Sequence, residues 1–459
     1  MLDRIDAIVW GPGLLFLILG TGIYLMVKLK FLPLRRLGMA LKLAIGFNKE
    51  KGKHVNGSVS SFSALMTELA ATIGTGNIVG VATAMSLGGP GALFWMIISS
   101  LIGMALKLVE STLAVTYRQR NQRGQLAGGP MYVMENGLKC KKTGHIMAVV
   151  YAFLAVLASF GMGNMVQANS IADAVYVTFG IPKITVGFII AMLTLFVVFG
   201  GIRTIGKLTN ILVPIMGILY LSGTLIVIIF HWRNLFEAIQ AIFLYAFCPK
   251  AITGGILGTS TSGALQAFRW GVSRGVFSNE AGLGASGISA AAANTSDAVR
   301  QGYISMTGVF FDTIVICTST GLALLVSGAF QNNVNEMEGS VLTLRAFETV
   351  FGDKGEKFVC ISIVLFAFAT IIAWAYQGEK AYEFLMHDDK KSNSLIFRLV
   401  YILFVIIGCI FSLRQVWNLS DICNGLLAIP NIVCVLILSN RACAKILAWD
   451  KDFNMKCKM

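Results

Sequence analysis

Apolar segments of about 20 residues recur along most of the chain and are separated by shorter polar stretches. A membrane-spanning helix needs about 20 mostly apolar residues, so each segment is a candidate span. The pattern predicts an all-α polytopic membrane protein with about eleven transmembrane helices. The expected spans cover residues 9–29, 59–86, 91–117, 147–178, 182–201, 205–230, 275–297, 300–328, 356–385, 395–413 and 417–440.

The stretch at residues 232–274 does not fit this pattern. It contains an amphipathic run, RNLFEAIQAIFLYAF, and a second run, GALQAFRWGVSRG, that carries Arg269 and Arg274. Neither run is long and apolar enough to cross a membrane. We therefore interpret both as outward-facing interfacial or re-entrant helices; a twelfth crossing here would reverse the side on which the C-terminus lies.

Basic residues set the expected orientation. The chain has 37 Lys and Arg against 23 Asp and Glu, a formal net charge of +14. Excess Lys and Arg mark the cytoplasmic loops of membrane proteins, so the charge does not indicate nucleic-acid binding. The basic loops after the first and third spans share a side with the basic tail if the N-terminus is outside. We therefore expect a multi-pass protein of the plasma membrane, embedded in the lipid bilayer, with a cytoplasmic C-terminus.

Two of the spans are interrupted by polar, glycine-containing runs. The second span contains IGTGN at Ile73–Asn77, and the seventh contains SNEAGLGASG at Ser278–Gly287. The expected orientation makes these two spans run in opposite directions, so spans 2–6 and 7–11 form two inverted halves, each opening with a broken helix. Interrupted helices at corresponding positions of inverted halves mark the midplane site of a secondary transporter. The alternative is a glycine motif for close helix packing.

Unwinding a helix at membrane depth frees backbone groups for a ligand. The N–H groups at Thr75, Gly76 and Asn77 open a half-helix and suit a carboxylate. The carbonyls at Ala70, Thr72 and Ile73 close the preceding half-helix and suit a hard, oxygen-seeking cation. One unwound stretch can therefore hold an anion and a cation side by side.

Charged residues inside the spans are further candidates, because such residues are costly in a membrane. Lys107 and Glu110 share a helix face, and mutual neutralisation is favoured over proton transfer. Glu68 is interpreted as part of an inner gate or as a structural pair, and Asp312 as the partner of a neighbouring helix. Glu280 lies within the second break, where a site role and capping of the next half-helix both stay open.

Several function classes lack their signals in this sequence. The four histidines lie near span ends or in loops, and the nine cysteines form no C-x-x-C pair. The chain contains no H-E-x-x-H motif and no P-loop. We therefore expect neither an enzyme, nor an ATP-driven pump, nor a protein with a bound organic cofactor.

Four motifs carry a resemblance to a known family. They are GGPGALFWMIISSLIG at Gly88–Gly103, GGPMYVMENGL at Gly128–Leu138, GNMVQANSIA at Gly163–Ala172 and RGVFSNEAGLG at Arg274–Gly284. At these residues the chain resembles the alanine or glycine:cation symporter family, the sodium:alanine symporters, from about residue 60 to residue 440. The resemblance implies a leucine-transporter-type fold with a five-plus-five inverted repeat and an extra first helix.

The same resemblance implies a function and a set of site residues. The function is sodium-coupled symport of a small neutral amino acid such as alanine or glycine, with sodium as the coupling ion. The implied substrate contacts are Thr75, Gly76, Gln167, Asn279 and Trp374. The implied sodium ligands are Ala70, Ile73, Ala369, through its carbonyl, and Thr370.

Two other functions stay open beside this one. A proton-coupled amino-acid symporter would use Glu68 or Glu280 as the proton carrier, and a sensor would bind an amino acid without transporting it. The expected organisation is a first helix and basic loop (1–58), a first repeat (59–231), interfacial helices (232–274), a second repeat (275–440) and a basic tail (441–459).

Overall fold

The computed structural model describes residues 2–46, 59–121, 124–247, 263–330, 339–387 and 391–458, and these residues are almost all helical. Part of the predicted basic loop (47–58) and part of the predicted interfacial segment (248–262) lie outside the described residues. The first half of the chain forms α1 (Leu2–Val9), α2 (Pro12–Lys28), α3 (Leu32–Arg35), α4 (Leu37–Ala44), α5 (Ser61–Thr72), α6 (Val79–Gly88), α7 (Gly91–Thr116), α8 (Pro130–Gly137), α9 (Lys141–Phe160), α10 (Val166–Phe179), α11 (Lys183–Phe199) and α12 (Gly201–Phe230).

The second half continues the helical pattern. It forms α13 (Leu235–Phe247), α14 (Gly263–Asn279), α15 (Ser286–Ala291), α16 (Ala298–Val309), α17 (Thr318–Val326), α18 (Gly339–Phe351), α19 (Asp353–Met386), α20 (Lys391–Ile410) and α21 (Leu413–Lys458). Two π-helical segments join neighbouring helices at Gly161–Met165 and Phe310–Cys317, and 3₁₀ turns lie at Thr75–Asn77 and Trp232–Asn234. Two short antiparallel strands, β1 (Gln119–Arg120) and β2 (Leu126–Ala127), form a hairpin in the loop after α7.

Six helices among the described residues are long and apolar enough to cross a membrane. They are Gly91–Thr116, Lys141–Phe179, Gly201–Phe230, Ala298–Val326, Asp353–Met386 and Gln415–Phe453. Shorter apolar helices or broken helices stand at the other predicted spans, so the exact number of crossings stays a prediction. The predicted α-helical membrane fold is confirmed, with one short hairpin as the exception.

The two broken helices run antiparallel beside each other. α6, the second half of the first, packs against α14, the first half of the second. At the other end, the start of α5 meets the end of α15. There the Val59 N–H donates to the Ala292 carbonyl (3.1 Å), and the Asn294 N–H donates to the Val59 carbonyl (2.7 Å). This arrangement agrees with the predicted inversion of the two halves.

The seventh helix begins earlier than its sequence pattern indicates. The sequence pattern predicts a boundary at residue 274 and an interfacial helix at GALQAFRWGVSRG. In the structure these residues belong to α14, which runs without interruption from Gly263 to Asn279. A half-helix is shorter than a full span, and its two arginines dilute the apolar signal. The earlier run, α13, packs against α7, where the Trp95 indole donates to the Ala246 carbonyl at 3.1 Å.

The basic loops and the tail gather at one end of the bundle. Arg36, the residue before α4, forms an ion pair with Asp450 near the end of α21 at 2.7 Å. Lys445 donates to the Thr116 hydroxyl at 2.9 Å, which ties the same helix to the end of α7. Segments that the charge pattern assigns to one side of the membrane are therefore neighbours in the structure.

A buried ion pair joins α14 to the opposite end of α21. The Arg274 guanidinium donates two hydrogen bonds to the Asp421 carboxylate, at 3.0 and 2.7 Å, and both side chains are buried. The rings of Trp417, Phe277 and Trp270 lie 4.9, 5.4 and 5.5 Å from the guanidinium carbon. This pair fixes α14 against a helix from the end of the second repeat.

Asp421→Leu is expected to lower the free energy of unfolding by about 3 kcal/mol or more, because the Arg274 guanidinium then stays buried without a counter-charge. Thermal unfolding of the detergent-purified protein measures the effect. The double variant Arg274→Met with Asp421→Leu removes both charges and should be more stable than the single variant. A double variant as unstable as the single would attribute the loss to packing and not to the unpaired charge.

Candidate functional site

The first break separates α5 from α6 over a few residues. α5 ends at Thr72, and Ile73 leaves the helical conformation with ψ of 88°. Gly74 is extended, and its N–H donates to the side-chain oxygen of Asn77 at 2.9 Å. One backbone N–H that the break frees is therefore paired within the break itself. The 3₁₀ turn that follows makes a hydrogen bond to a neighbouring helix.

A glutamine and a glycine define the surroundings of that turn. The Thr75 N–H donates to the side-chain oxygen of Gln167, on α10, at 3.2 Å. A Cβ atom at Gly76 would lie 3.4 Å from Phe277 Cδ1 and from Ser278 Cα. Gly76 therefore brings the first break into close contact with α14, and a methyl group there meets only ordinary van der Waals contacts.

The second break follows α14. Asn279 is its last residue, and its side-chain amide donates to the Thr313 hydroxyl at 3.1 Å and accepts from the Ala281 N–H at 3.0 Å. The backbone then turns through left-handed conformations at Glu280 (φ 56°), Gly282 (φ 95°) and Gly284 (φ 77°). This turn lets α15 begin in a new position at Ser286.

A buried carboxylate connects the two breaks. Asp312, in the π-helical segment after α16, accepts from the Asn77 amide of the first break at 2.7 Å. It also accepts from the Ser278 hydroxyl of the second broken helix and from the Thr313 hydroxyl, both at 2.8 Å. The sequence indicated only that Asp312 pairs with a neighbouring helix. The adjacent acid and hydroxyl, Asp312 and Thr313, inside an apolar span are the sequence feature that indicates this larger network.

The four residues predicted to hold sodium lie where α19 passes the end of α5. The Thr370 hydroxyl donates to the Ala70 carbonyl at 3.0 Å. A Cβ at Gly74 would lie only 2.5 Å from that hydroxyl oxygen, so the chain just after Ile73 also reaches Thr370. Ala369 is buried within α19, and a helical carbonyl keeps a second lone pair for another partner.

Trp374 lies one turn further along α19 and is fully buried. Its indole N–H donates to a carboxylate oxygen of Glu280 at 2.9 Å. On the other side, a Cβ at Gly163 would lie 2.3 Å from the Cβ of Trp374. Trp374 is therefore held between the second break and the π-helical segment that leads to Gln167.

The predicted site residues thus fall into two connected groups. One surrounds the first break and contains Ala70, Ile73, Thr75, Gly76, Gln167, Ala369 and Thr370. The other surrounds the second break and contains Asn279 and Trp374. The contact of Gly76 with Phe277 and Ser278 joins the groups.

Lys107 and Glu110 carry opposite charges on one face of α7, but their hydrogen bonds go to different helices. Lys107 donates to the Ser286 hydroxyl at 2.6 Å, whereas Glu110 accepts from the Asn431 amide at 2.6 Å. Among the described residues no ion pair joins the two, because one side chain reaches α15 and the other reaches α21. Glu68 accepts from the Ser305 hydroxyl at 2.9 Å, and this contact ties α5 to α16.

Comparisons with known proteins agree with this architecture. A family model described as "Sodium:alanine symporter family" matches residues 1–458. The sodium/alanine symporter AgcS of Methanococcus maripaludis is 44% identical over 453 residues, which is 98% of this chain and 97% of that protein. The probable sodium/glutamine symporter GlnT of Bacillus subtilis is 37% identical over 435 residues, covering 94% of this chain and 86% of that protein.

A solved structure shares the fold. The crystal structure of MhsT in complex with L-phenylalanine superposes with a TM-score of 0.62 at 12% identity, covering 86% of this chain and 93% of that one. The predicted leucine-transporter-type fold is thereby confirmed. The chain is a cation-coupled amino-acid symporter and not an enzyme, since it belongs to the sodium:alanine symporter family.

Proposed function

We propose that this protein takes up small neutral amino acids, such as alanine or glycine, by sodium-coupled symport with alternating access. It does so across the plasma membrane, with the N-terminus outside and the C-terminus cytoplasmic. The observation that carries the proposal is the short stretch between Ala70 and Gly76. Its carbonyl end faces the Thr370 hydroxyl, and its N–H end faces the Gln167 side-chain oxygen.

The N–H end suits the carboxylate of an amino acid. The Thr75 N–H already points at a side-chain oxygen, that of Gln167. A substrate carboxylate is a stronger acceptor than an amide because it is charged, so it can replace that oxygen. Gly76 has no side chain to exclude the ligand from the backbone, and it lies against Ser278 of the second broken helix. We assign the next residue, Asn279, as a further substrate contact.

The carbonyl end suits sodium. Carbonyls of Ala70, Ile73 and Ala369 and the hydroxyl of Thr370 are all oxygen donors, which hard cations prefer. An ion there would hold the end of α5 against α19 and fix the shape of the break. Because the same few residues present the N–H groups, sodium binding and carboxylate binding stabilise each other, as coupled transport requires.

Trp374 accounts for the preference for small substrates. Its indole is fully buried, and its contacts with Gly163 and Glu280 hold it in one position. We assign it the cap of the amino-acid pocket. Glutamine, named for the relative in Bacillus subtilis, is a larger competitor against which this limit can be measured.

Sodium coupling predicts that alanine uptake into proteoliposomes follows an inward sodium gradient and survives collapse of the proton gradient. Thr370→Val keeps the side-chain shape but removes the hydroxyl ligand. It should raise the half-saturating sodium concentration at least about tenfold, equivalent to ~1.4 kcal/mol. Thr370→Ser keeps the hydroxyl and should remain close to the parent protein.

Two results would contradict this assignment. Uptake that ignores sodium and tracks pH would favour the proton-coupled alternative. An unchanged sodium dependence in Thr370→Val would remove Thr370 from the ion site while leaving sodium coupling in place.

Docking of the carboxylate on the first break predicts that Gly76→Ala binds alanine at least about tenfold more weakly, a loss of ~1.4 kcal/mol. The added methyl group intrudes on the ligand and also favours closing the helix by ~1 kcal/mol. It meets protein atoms only at 3.4 Å and beyond, so the fold should tolerate it. Ligand-induced thermal stabilisation of the purified protein measures the affinity.

Gly217→Ala is the matched control, because a Cβ at Gly217 on α12 would have no atom within 4 Å. It should bind alanine as the parent does. Alanine methyl ester, which lacks the negative charge, should compete poorly with alanine. If Gly76→Ala binds alanine as the parent does, or if the ester competes as well as alanine, the carboxylate does not bind at the first break. The glycines would then serve only close helix packing.

The cap assignment predicts that Trp374→Ala lets valine and leucine compete for alanine uptake, because the smaller side chain enlarges the pocket. Competition for radiolabelled alanine uptake measures this change. If Trp374 only packs the helices together, the variant will lose stability or expression while the set of competing amino acids stays the same.

A further inference from the structure

Glu280 occupies a backbone conformation that usually belongs to glycine. Its φ is 56°, in the left-handed region, where a side chain is strained. The next two left-handed positions of the same break are Gly282 and Gly284. A glycine at residue 280 would form this turn with less strain, so the turn itself does not account for the glutamate.

The side chain of Glu280 forms one link of a buried chain of hydrogen bonds. One carboxylate oxygen accepts from the Trp374 indole at 2.9 Å, and the other accepts from the Ser286 hydroxyl at 3.2 Å. That hydroxyl accepts in turn from the Lys107 ammonium at 2.6 Å. All four side chains are buried, and they connect α7, α15, the second break and α19.

The indole needs an acceptor at this position. Its N–H is a donor only, and a buried donor without a partner is unfavourable. A carboxylate has enough lone pairs to accept from the indole and the hydroxyl together, and its charge strengthens both bonds. Lys107 supplies the compensating positive charge through Ser286.

The opposite face of Trp374 is fixed by close packing. A Cβ at Gly163 would lie 2.3 to 2.8 Å from atoms of the tryptophan, so the ring fills the space that a side chain would need. Gly163 also presents its carbonyl to the Tyr401 hydroxyl at 3.1 Å, which holds this part of the π-helical segment in place. The indole therefore packs against the backbone of Gly163 on one side and donates a hydrogen bond to Glu280 on the other.

We propose that Glu280 is the positioning residue that anchors the Trp374 indole and thereby sets the largest amino-acid side chain that the transporter accepts. The proposal rests on the proposed function, in which Trp374 caps the substrate pocket. Without the anchor, the indole keeps its packing against Gly163 but loses the contact that fixes its rotation. The pocket then admits side chains that the parent protein excludes.

The test compares two ligands in purified, full-length protein. The measured quantity is the ratio of the dissociation constants for valine and alanine, obtained from ligand-induced thermal stabilisation. A purely structural loss weakens both ligands or destabilises the protein, but leaves this ratio unchanged. Glu280→Gly relieves the left-handed backbone and removes the anchor, so it should lower the ratio at least tenfold.

Two further variants distinguish the effect of the side-chain length of Glu280 from the effect of its charge. Glu280→Asp keeps the charge near Lys107 but is one methylene too short to reach the indole, so it should lower the ratio as Glu280→Gly does. Glu280→Gln keeps an acceptor for the indole N–H and should stay within threefold of the parent ratio. If Glu280→Gly fails to fold, Glu280→Asp carries the test, because aspartate tolerates the left-handed region better.

Glu110→Gln is the matched control. Glu110 is another buried glutamate near Lys107, and its carboxylate contacts Asn431 instead of Trp374. Its substitution should change thermal stability but leave the valine-to-alanine ratio at the parent value.

The outcomes distinguish this proposal from the function on which it rests. If Trp374→Ala lowers the ratio while Glu280→Gly and Glu280→Asp leave it unchanged, the cap assignment stands and the positioning role is overturned. If Trp374→Ala leaves the ratio unchanged, both the cap and the anchor are overturned. A ratio lowered by Glu280→Asp and restored in Glu280→Gln supports the anchor.

Discussion

Backbone hydrogen bonding in the absence of water is the constraint on which this structure depends. A membrane interior offers no solvent partner for a freed N–H or carbonyl, so an interrupted helix needs partners from its neighbours. Here the first break obtains them from Gln167, Asn77 and Thr370, and the second from Asn279 and its own left-handed turn. The surrounding helices carry amides and hydroxyls at the depth of the breaks, and the proposed ligand contacts at the first break are the backbone groups that the interruption of the helix frees. The proposed site therefore lies at the depth in the membrane where, among the described residues, the broken helices leave some backbone N–H and carbonyl groups without a partner in their own helix.

The sequence predicts the parts of this arrangement that depend on local signals. Glycine and polar residues inside long apolar runs indicated both breaks, and basic loops indicated the side on which the tail lies. The start of α14 was missed because its two arginines resemble an interfacial pattern, whereas Arg274 is in fact neutralised by Asp421, which is 147 positions away. Such a partner has no local signal in the chain.

The same limit applies to the buried charges. A spacing of three residues correctly places Lys107 and Glu110 on one face of α7, but it does not tell which groups of other helices are nearer. Lys107 finds Ser286 and Glu110 finds Asn431, and both contacts depend on how α15 and α21 pack. Helical periodicity therefore predicts a direction for each side chain, while its partner follows only from the tertiary fold.

One helix, α21, extends from the ion pair at Asp421 to the ion pair at Asp450, at opposite ends of the bundle. At a rise of about 1.5 Å per residue the two carboxylates are roughly 44 Å apart along its axis. Both ends of this helix are held by ion pairs, so tilting it by about 5° about its middle would move the two carboxylates by roughly 2 Å each, in opposite directions. Pro430 lies between them and removes one helical hydrogen bond, next to Asn431, which donates to the Gly282 carbonyl in the second break at 2.9 Å. The point at which α21 lacks a backbone hydrogen bond is therefore next to its contact with the second break, so a bend of α21 at Pro430 would act directly on the backbone segment that carries Glu280 and Gly282.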